Sequence, residues 1–64
     1  MKLKYIGTDS WYRPVYQEVG TTKLWKDTNL APVNSKRASL NRACGDEFDG
    51  EPDYPLTREY EFVT

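Results

Sequence analysis

The sequence predicts a mainly β fold: one small domain, residues 1–64, built on an antiparallel sheet of about four strands, SH3-like or a meander, with the first and last strands paired. Three observations carry this expectation. The stretch RPVYQEVGTTKLWKD from Arg13 to Asp27 holds two β-rich runs around Gly20, which takes positive φ without steric cost. The N-terminal run from Lys2 to Ile6 alternates, with Leu3 and Tyr5 on one face and Lys2 and Lys4 on the other. The C-terminal run from Thr57 to Thr64 alternates too, with Tyr60 and Phe62 opposite Glu59 and Glu61, so its aromatics and carboxylates match the first strand's apolar residues and ammonium groups.

Taken in order, Lys2 to Ile6 is the first strand and Thr8-Asp9-Ser10 a turn cluster. Pro14 has no amide to donate and suits only the start of a strand or an edge. In the hairpin that follows, Tyr16 faces Trp25, Gln17 faces Leu24 and Glu18 faces Lys23. Pro14, Tyr16 and Trp25 share one face, and Val15, Val19 and Leu24 the other. Two strands alone are marginal in water, so both ends of the chain are needed to cover the hairpin, and it is not expected to bury both of its faces completely. Pro32 forces Ala31 into an extended conformation and makes 28–33 a connector.

The segment 34–44, NSKRASLNRAC, reads as a short helix capped by Asn34 or Ser35 and stopped by Gly45, with an irregular loop as the alternative. Gly45 to Pro55 is an acidic loop rich in Gly and Pro, with Phe48 and Tyr54 expected to pin it to the core. The final alternating run closes the sheet.

Composition narrows the function. A domain of this size buries only about 60% of the surface its unfolded chain exposes, which leaves homo-oligomerisation open. One cysteine and no histidine leave no internal disulfide, no Cys/His zinc site, and no Ser-His-Asp or Cys-His catalysis, so neither an enzyme nor a cofactor is expected. The lone Cys44 and the absence of a signal peptide fit a reducing cytosol. The longest apolar runs are two or three residues against the roughly 20 that cross a bilayer, so no membrane association is expected.

The net charge of −1 hides an asymmetry. Up to Cys44, eight Lys or Arg face three acids, a balance of +5; from Gly45 onward, seven acids face Arg58, a balance of −6. Either the two halves neutralise each other across the fold, or the acidic part meets a basic protein partner. DEFDGEPD, from Asp46 to Asp53, does not fit an EF-hand: with Gly50 on the invariant glycine, Gly45 and Leu56 would stand where acids are required. No metal is expected there. The residues assigned to protein binding are Trp11, Tyr12, Asp46, Glu47, Asp49, Glu51 and Asp53, since aromatic side chains anchor interfaces and clustered carboxylates seek positive complement. A nucleic-acid interface would instead use Lys23, Lys26, Lys36 and Arg37, though so few cations give only weak, salt-sensitive attraction and nucleic acid is the less favoured partner.

Trp11-x-Arg13-Pro14-Val15-Tyr16, Leu24-Trp25-Lys26-Asp27-x-Asn29 and Glu47-Phe48-Asp49-Gly50-Glu51-Pro52-Asp53-x-Pro55 together resemble small uncharacterised proteins carried on bacterial phages and conjugative elements. The resemblance covers most of the chain and has no catalytic motif. It implies a bacterial cytoplasmic setting and an accessory role in the contest between mobile elements and host defences. The expected function is therefore a non-enzymatic protein-interaction module, acting as an inhibitor of a host defence system; the alternative is a small SH3-like nucleic-acid-binding domain.

Overall fold

In a computed structural model, which describes residues 1–63, the N-terminal run forms β1 (Lys2–Thr8), followed by β2 (Pro14–Glu18) and β3 (Leu24–Asp27) in an antiparallel meander. Tyr16 stands opposite Trp25 and Gln17 opposite Leu24, the register the sequence predicts. Gly20 turns the chain at φ 87°, and Pro14 opens β2, where its missing amide does least harm to the ladder.

The sheet has six strands rather than about four. β4 (Leu40–Ala43), β5 (Pro52–Pro55) and β6 (Glu61–Phe62) extend it to the order β5-β4-β3-β2-β1-β6. The helix expected over 34–44 does not form. Residues 34–39 are irregular and turning, Leu40–Ala43 is a strand, and only Cys44–Asp46 makes a single 3-10 turn. The physical reason is competition for backbone partners. The outer edge of β3 needs hydrogen bonds, and β4 supplies them with Trp25 opposite Arg42 and Asp27 opposite Leu40, whereas a weakly apolar helix would leave that edge open. Asn34 sits at φ 63°, a left-handed conformation from which a right-handed helix does not start.

Asp27 organises the connector between β3 and β4. Its buried carboxylate accepts the backbone N–H groups of Asn29 (2.8 Å), Ala31 (2.8 Å) and Ser39 (2.9 Å), so three peptide groups of the connector are held by one side chain.

β1 and β6 are neighbours, as the matched alternation predicts, but they run parallel, with Lys2 opposite Glu61 and Leu3 opposite Phe62. The sheet is mixed and open, not an antiparallel sheet closed by its ends. Thr64 lies outside the described residues. From Pro55 to Glu61 the chain can reach at most about 20 Å, so the two outer strands lie near each other and the sheet curls. It curls around a core of Leu3, Tyr16, Trp25 and Leu40, against which Ala38, Leu56, Tyr60 and Phe62 pack. The connection is anchored at its start by the Leu56 amide, which donates to the Leu40 carbonyl at 2.8 Å.

A second cluster of Val15, Leu24 and Ala43 is buried on the other face, so the hairpin covers both faces more completely than its length suggests. Val19, expected beside them, lies just past β2 and is 52% exposed. Tyr54, expected to pin the acidic loop, is 69% exposed on the edge strand β5. The Glu18 carboxylate does not meet the Lys23 side chain. It turns into the first cluster, accepts the Trp25 indole N–H at 3.2 Å and lies 3.5 Å from Arg58.

Candidate protein-binding surface

The turn from Asp9 to Arg13 is built around one carboxylate. Asp9 Oδ1 accepts the amides of Trp11 (2.8 Å) and Arg13 (2.9 Å), the Asp9 carbonyl accepts the Tyr12 amide (3.0 Å), and the Asp9 amide donates to the Arg13 carbonyl (3.0 Å). An aspartate bonding the amide two residues on is the usual way this residue makes a turn. Asp9 Oδ2 takes Arg13 Nε at 3.0 Å and Lys26 Nζ at 2.8 Å. Both side chains of the Asp9–Lys26 pair are completely buried, so the turn is bolted to the middle of β3. Burial alone would raise the Asp9 pKa; the bonds from Lys26 and Arg13 and the amide donors outweigh it and hold the carboxyl well below the ordinary range.

With its backbone fixed in this way, the turn presents its two aromatics outward. Trp11 is 55% exposed and Tyr12 81%, and Tyr12 is held at φ 64°, a conformation that costs energy in a residue with a Cβ. The Arg13 guanidinium lies 5.2 Å from the Trp11 ring centroid and covers one face of the indole.

The acidic loop lies beside this turn. Asp49 Oδ1 accepts both the Ser10 amide (3.0 Å) and the Ser10 hydroxyl (2.8 Å). The ring of Phe48 lies over Gly7, where an added Cβ would come within 3.0 Å of Phe48 Cζ. The loop is also closed on itself: the Cys44 amide donates to the Glu51 carbonyl at 2.8 Å and the Gly50 amide to the Glu47 carbonyl at 2.9 Å. A Cβ on Gly50 would stand 2.5 Å from the Cys44 carbonyl oxygen, so only glycine fits. Gly50→Ala should therefore destabilise by about 1–3 kcal/mol through backbone displacement. A lowered melting temperature checks this, and an unchanged one would show that the loop is looser than its hydrogen bonds imply.

The five loop carboxylates divide into two kinds. Asp46 is gripped by Arg42, at 2.9 Å from Nε and 2.7 Å from Nη2, and also accepts the Leu24 amide at 3.2 Å. Asp46 and Asp49 are both held below the usual carboxylate range, Asp46 first by the Arg42 hydrogen bonds and Asp49 first by the Ser10 amide. They are part of the scaffold. Glu47, Glu51 and Asp53 are exposed and form no ion pair among the described residues, so their charge faces solvent. Removing the Ser10 hydroxyl with Ser10→Ala should raise the Asp49 carboxyl pKa, because the hydroxyl bonds the charged form; an NMR titration of the Asp49 side chain that shows no upward movement would contradict the contact.

The structure thus brings Trp11 and Tyr12 together with Asp49 and its loop, and sets Asp46 apart at the Arg42 clasp. Sequence reasoning missed Asp9, Ser10 and Lys26 as the residues that hold the surface. The Asp9-Ser10 turn signal was visible; its partner, 17 positions away, was not. Of the cations assigned to a nucleic-acid interface, Lys26 is a correction: its ammonium is buried against Asp9 and cannot reach a phosphate. Lys23 is half-buried, and Lys36 and Arg37 are exposed on the connector.

Among the described residues no group of three or more side chains is arranged to hold a metal ion, and no helix is long and apolar enough to cross a membrane. No family model, curated protein or solved structure matches the chain.

Proposed function

We propose that the chain is a non-enzymatic protein-interaction module that docks on a basic protein surface through Trp11, Tyr12 and the free carboxylates Glu47, Glu51 and Asp53. The observation that carries this reading is the pair of hydrogen bonds from Ser10 to Asp49, which tie two highly exposed aromatics to the most acidic loop of the molecule. A turn whose backbone is held by hydrogen bonds leaves its aromatic anchors less conformational entropy to lose on association. Carboxylates beside them steer a positive partner and fix its register. Covering a basic functional surface in this manner is the part that an inhibitor of a bacterial defence complex would play, in keeping with the resemblance to proteins of mobile elements.

The alternative, a nucleic-acid-binding domain, now rests on Lys23, Lys36 and Arg37, since Lys26 is sequestered. The test is comparative affinity capture from a bacterial lysate. A partner retained by the parent chain should be lost with Trp11→Ala/Tyr12→Ala and kept with Lys36→Ala/Arg37→Ala. Substituting Glu47→Gln, Glu51→Gln and Asp53→Asn together should slow association at low salt by about tenfold and leave dissociation nearly unchanged. A partner that survives loss of both aromatics, or binding to DNA or RNA that weakens steeply with salt, would overturn the reading.

A further inference from the structure

The sheet curls around Leu3, Tyr16 and Trp25, and its outer face is only partly covered. The acidic loop lies across Val15, Leu24 and Ala43, tied down by Asp46 at the Leu24 amide and by Phe48 over Gly7. The outer side of β1 stays open. Lys2, Lys4 and Ile6 alternate outward there with the core-facing Leu3 and Tyr5, and the Val19 amide, donating to the Lys2 carbonyl at 2.9 Å, sets Val19 beside them. Val63 follows the core-facing Phe62 and donates to the Leu3 carbonyl at 2.8 Å, which places it on the same side next to Lys4. Ile6, Val19, Phe48 and Val63 are each between 38% and 52% exposed. Single apolar side chains at a surface need no explanation, but four gathered around one lysine do.

Charge on this face is divided. Lys2 has Glu61 opposite it in the β1–β6 register, whereas Lys4 stands opposite Gln17 and pairs with no carboxylate among the described residues. Lys4, Gln17, Val19 and Gly20 line a depression of about 180 Å³, open to a carboxylate side chain. Such a carboxylate is present on the same face. Glu47, the residue before Phe48, is exposed and unpaired among the described residues. A face with a lone cation on one side, a lone carboxylate on the other and apolar residues between them is complementary to itself under a two-fold rotation, which brings each charge opposite its counterpart twice.

We propose that the chain forms a weak two-fold dimer through the outer face of β1, with Glu47 of each copy at Lys4 of the other and Ile6 and Phe48 packed near the axis. A standard interface takes about 800 Å² from each partner, about a fifth of the 4176 Å² surface of this chain. The open part of the face is smaller than that, so the dissociation constant should be on the order of 100 μM. An acidic peptide from another protein would satisfy Lys4 and leave Glu47 unmatched, and an anionic membrane would be repelled by Glu47 and Glu61. Trp11 and Tyr12, in the turn beyond the end of β1, stay outside the contact. The dimer therefore stands apart from the function proposed above; only Glu47 is common to both, and it serves one partner at a time.

The test is sedimentation equilibrium at low salt over about 10 μM to 1 mM, a range that brackets the expected constant. The parent should be dimeric at the top of the range. Lys4→Glu and Glu47→Lys, both at exposed positions, should each weaken self-association by about tenfold or more, since each puts two like-charge contacts into the dimer. An equimolar mixture of the two variants should recover dimers of parent affinity, because the exchanged charges again meet their opposites at both contacts. Lys36→Glu, which changes the net charge as Lys4→Glu does but lies on the connector, should associate like the parent. A parent that stays monomeric throughout, single variants that associate as well as the parent, a mixture that does not recover, or an equal loss in Lys36→Glu would overturn the proposal.

Discussion

Asp9→Ala is expected to cost about 3 to 5 kcal/mol, the range seen when one member of a buried ion pair is removed and the other is left without a partner. The Lys26 ammonium would remain in the interior with nothing opposite it, and the amides of Trp11 and Arg13 would lose their acceptor. For so small a domain this approaches the whole stability. Asp9→Asn keeps Oδ1 for the turn amides but replaces the acceptor of Lys26 Nζ and Arg13 Nε with an NH2, so it unties the turn from β3 while its loss should be somewhat smaller than that of Asp9→Ala. The same carboxylate fixes the response to acid. Its pKa is lower in the folded than in the unfolded chain, where it is about 3.9, so the unfolded state takes up the proton first as pH falls. The stabilisation is complete above about pH 5 and drains away below about pH 4. Denaturant unfolding of the parent at pH 7 and pH 3 should show this loss, and Asp9→Asn should show a shallower one. A parent and variant with the same acid sensitivity would mean that the pair with Lys26 is not formed in solution.

Trp25→Ala should also cost about 3 to 5 kcal/mol, as removal of a large core aromatic usually does. Trp25 is 8% exposed, packs with Leu3, Tyr16 and Leu40, and donates its indole N–H to Glu18. Truncation leaves both a cavity and a carboxylate with one donor fewer. Trp25→Phe should restore most of the packing but not the hydrogen bond. Fluorescence gives an independent check: with Trp11→Phe as background, the remaining Trp25 emission should be blue-shifted in the folded protein and move to the red on unfolding. Emission already characteristic of water in the folded state would contradict the placement of Trp25 in the core.

The parts of the fold that were legible in the sequence are those set by local alternation. Tyr16 and Trp25 announce their pairing because a loop of Gly20-Thr21 and a loop of Val19 to Thr22, the one the structure adopts, give the same register, and Leu3 and Phe62 announce their shared core by period. The parallel sense of β6 was hidden, because alternation is the same in either direction. Leu40 to Ala43 was hidden for another reason: it is a strand by virtue of the open edge of β3, a tertiary fact, while its own spacing of Leu40, Ala43 and Cys44 suits a helix equally well. At the candidate surface, composition revealed the acidic loop and the aromatics. It could not separate Asp46 and Asp49, which serve Arg42 and Ser10, from Glu47, Glu51 and Asp53, because that division depends on which carboxylates the closed loop turns inward.

The proposed function requires that the hydrogen bonds of Asp9 and Asp49 keep the aromatic turn in one conformation in the free protein. NMR backbone relaxation of the free protein reads this out residue by residue. The amides of Trp11 and Tyr12 should have order parameters equal to those of β2, about 0.85, and should loosen in Asp9→Asn. Values below about 0.6 at Trp11 and Tyr12 in the parent would show a mobile turn that a partner must order, and the preformed surface would have to be given up.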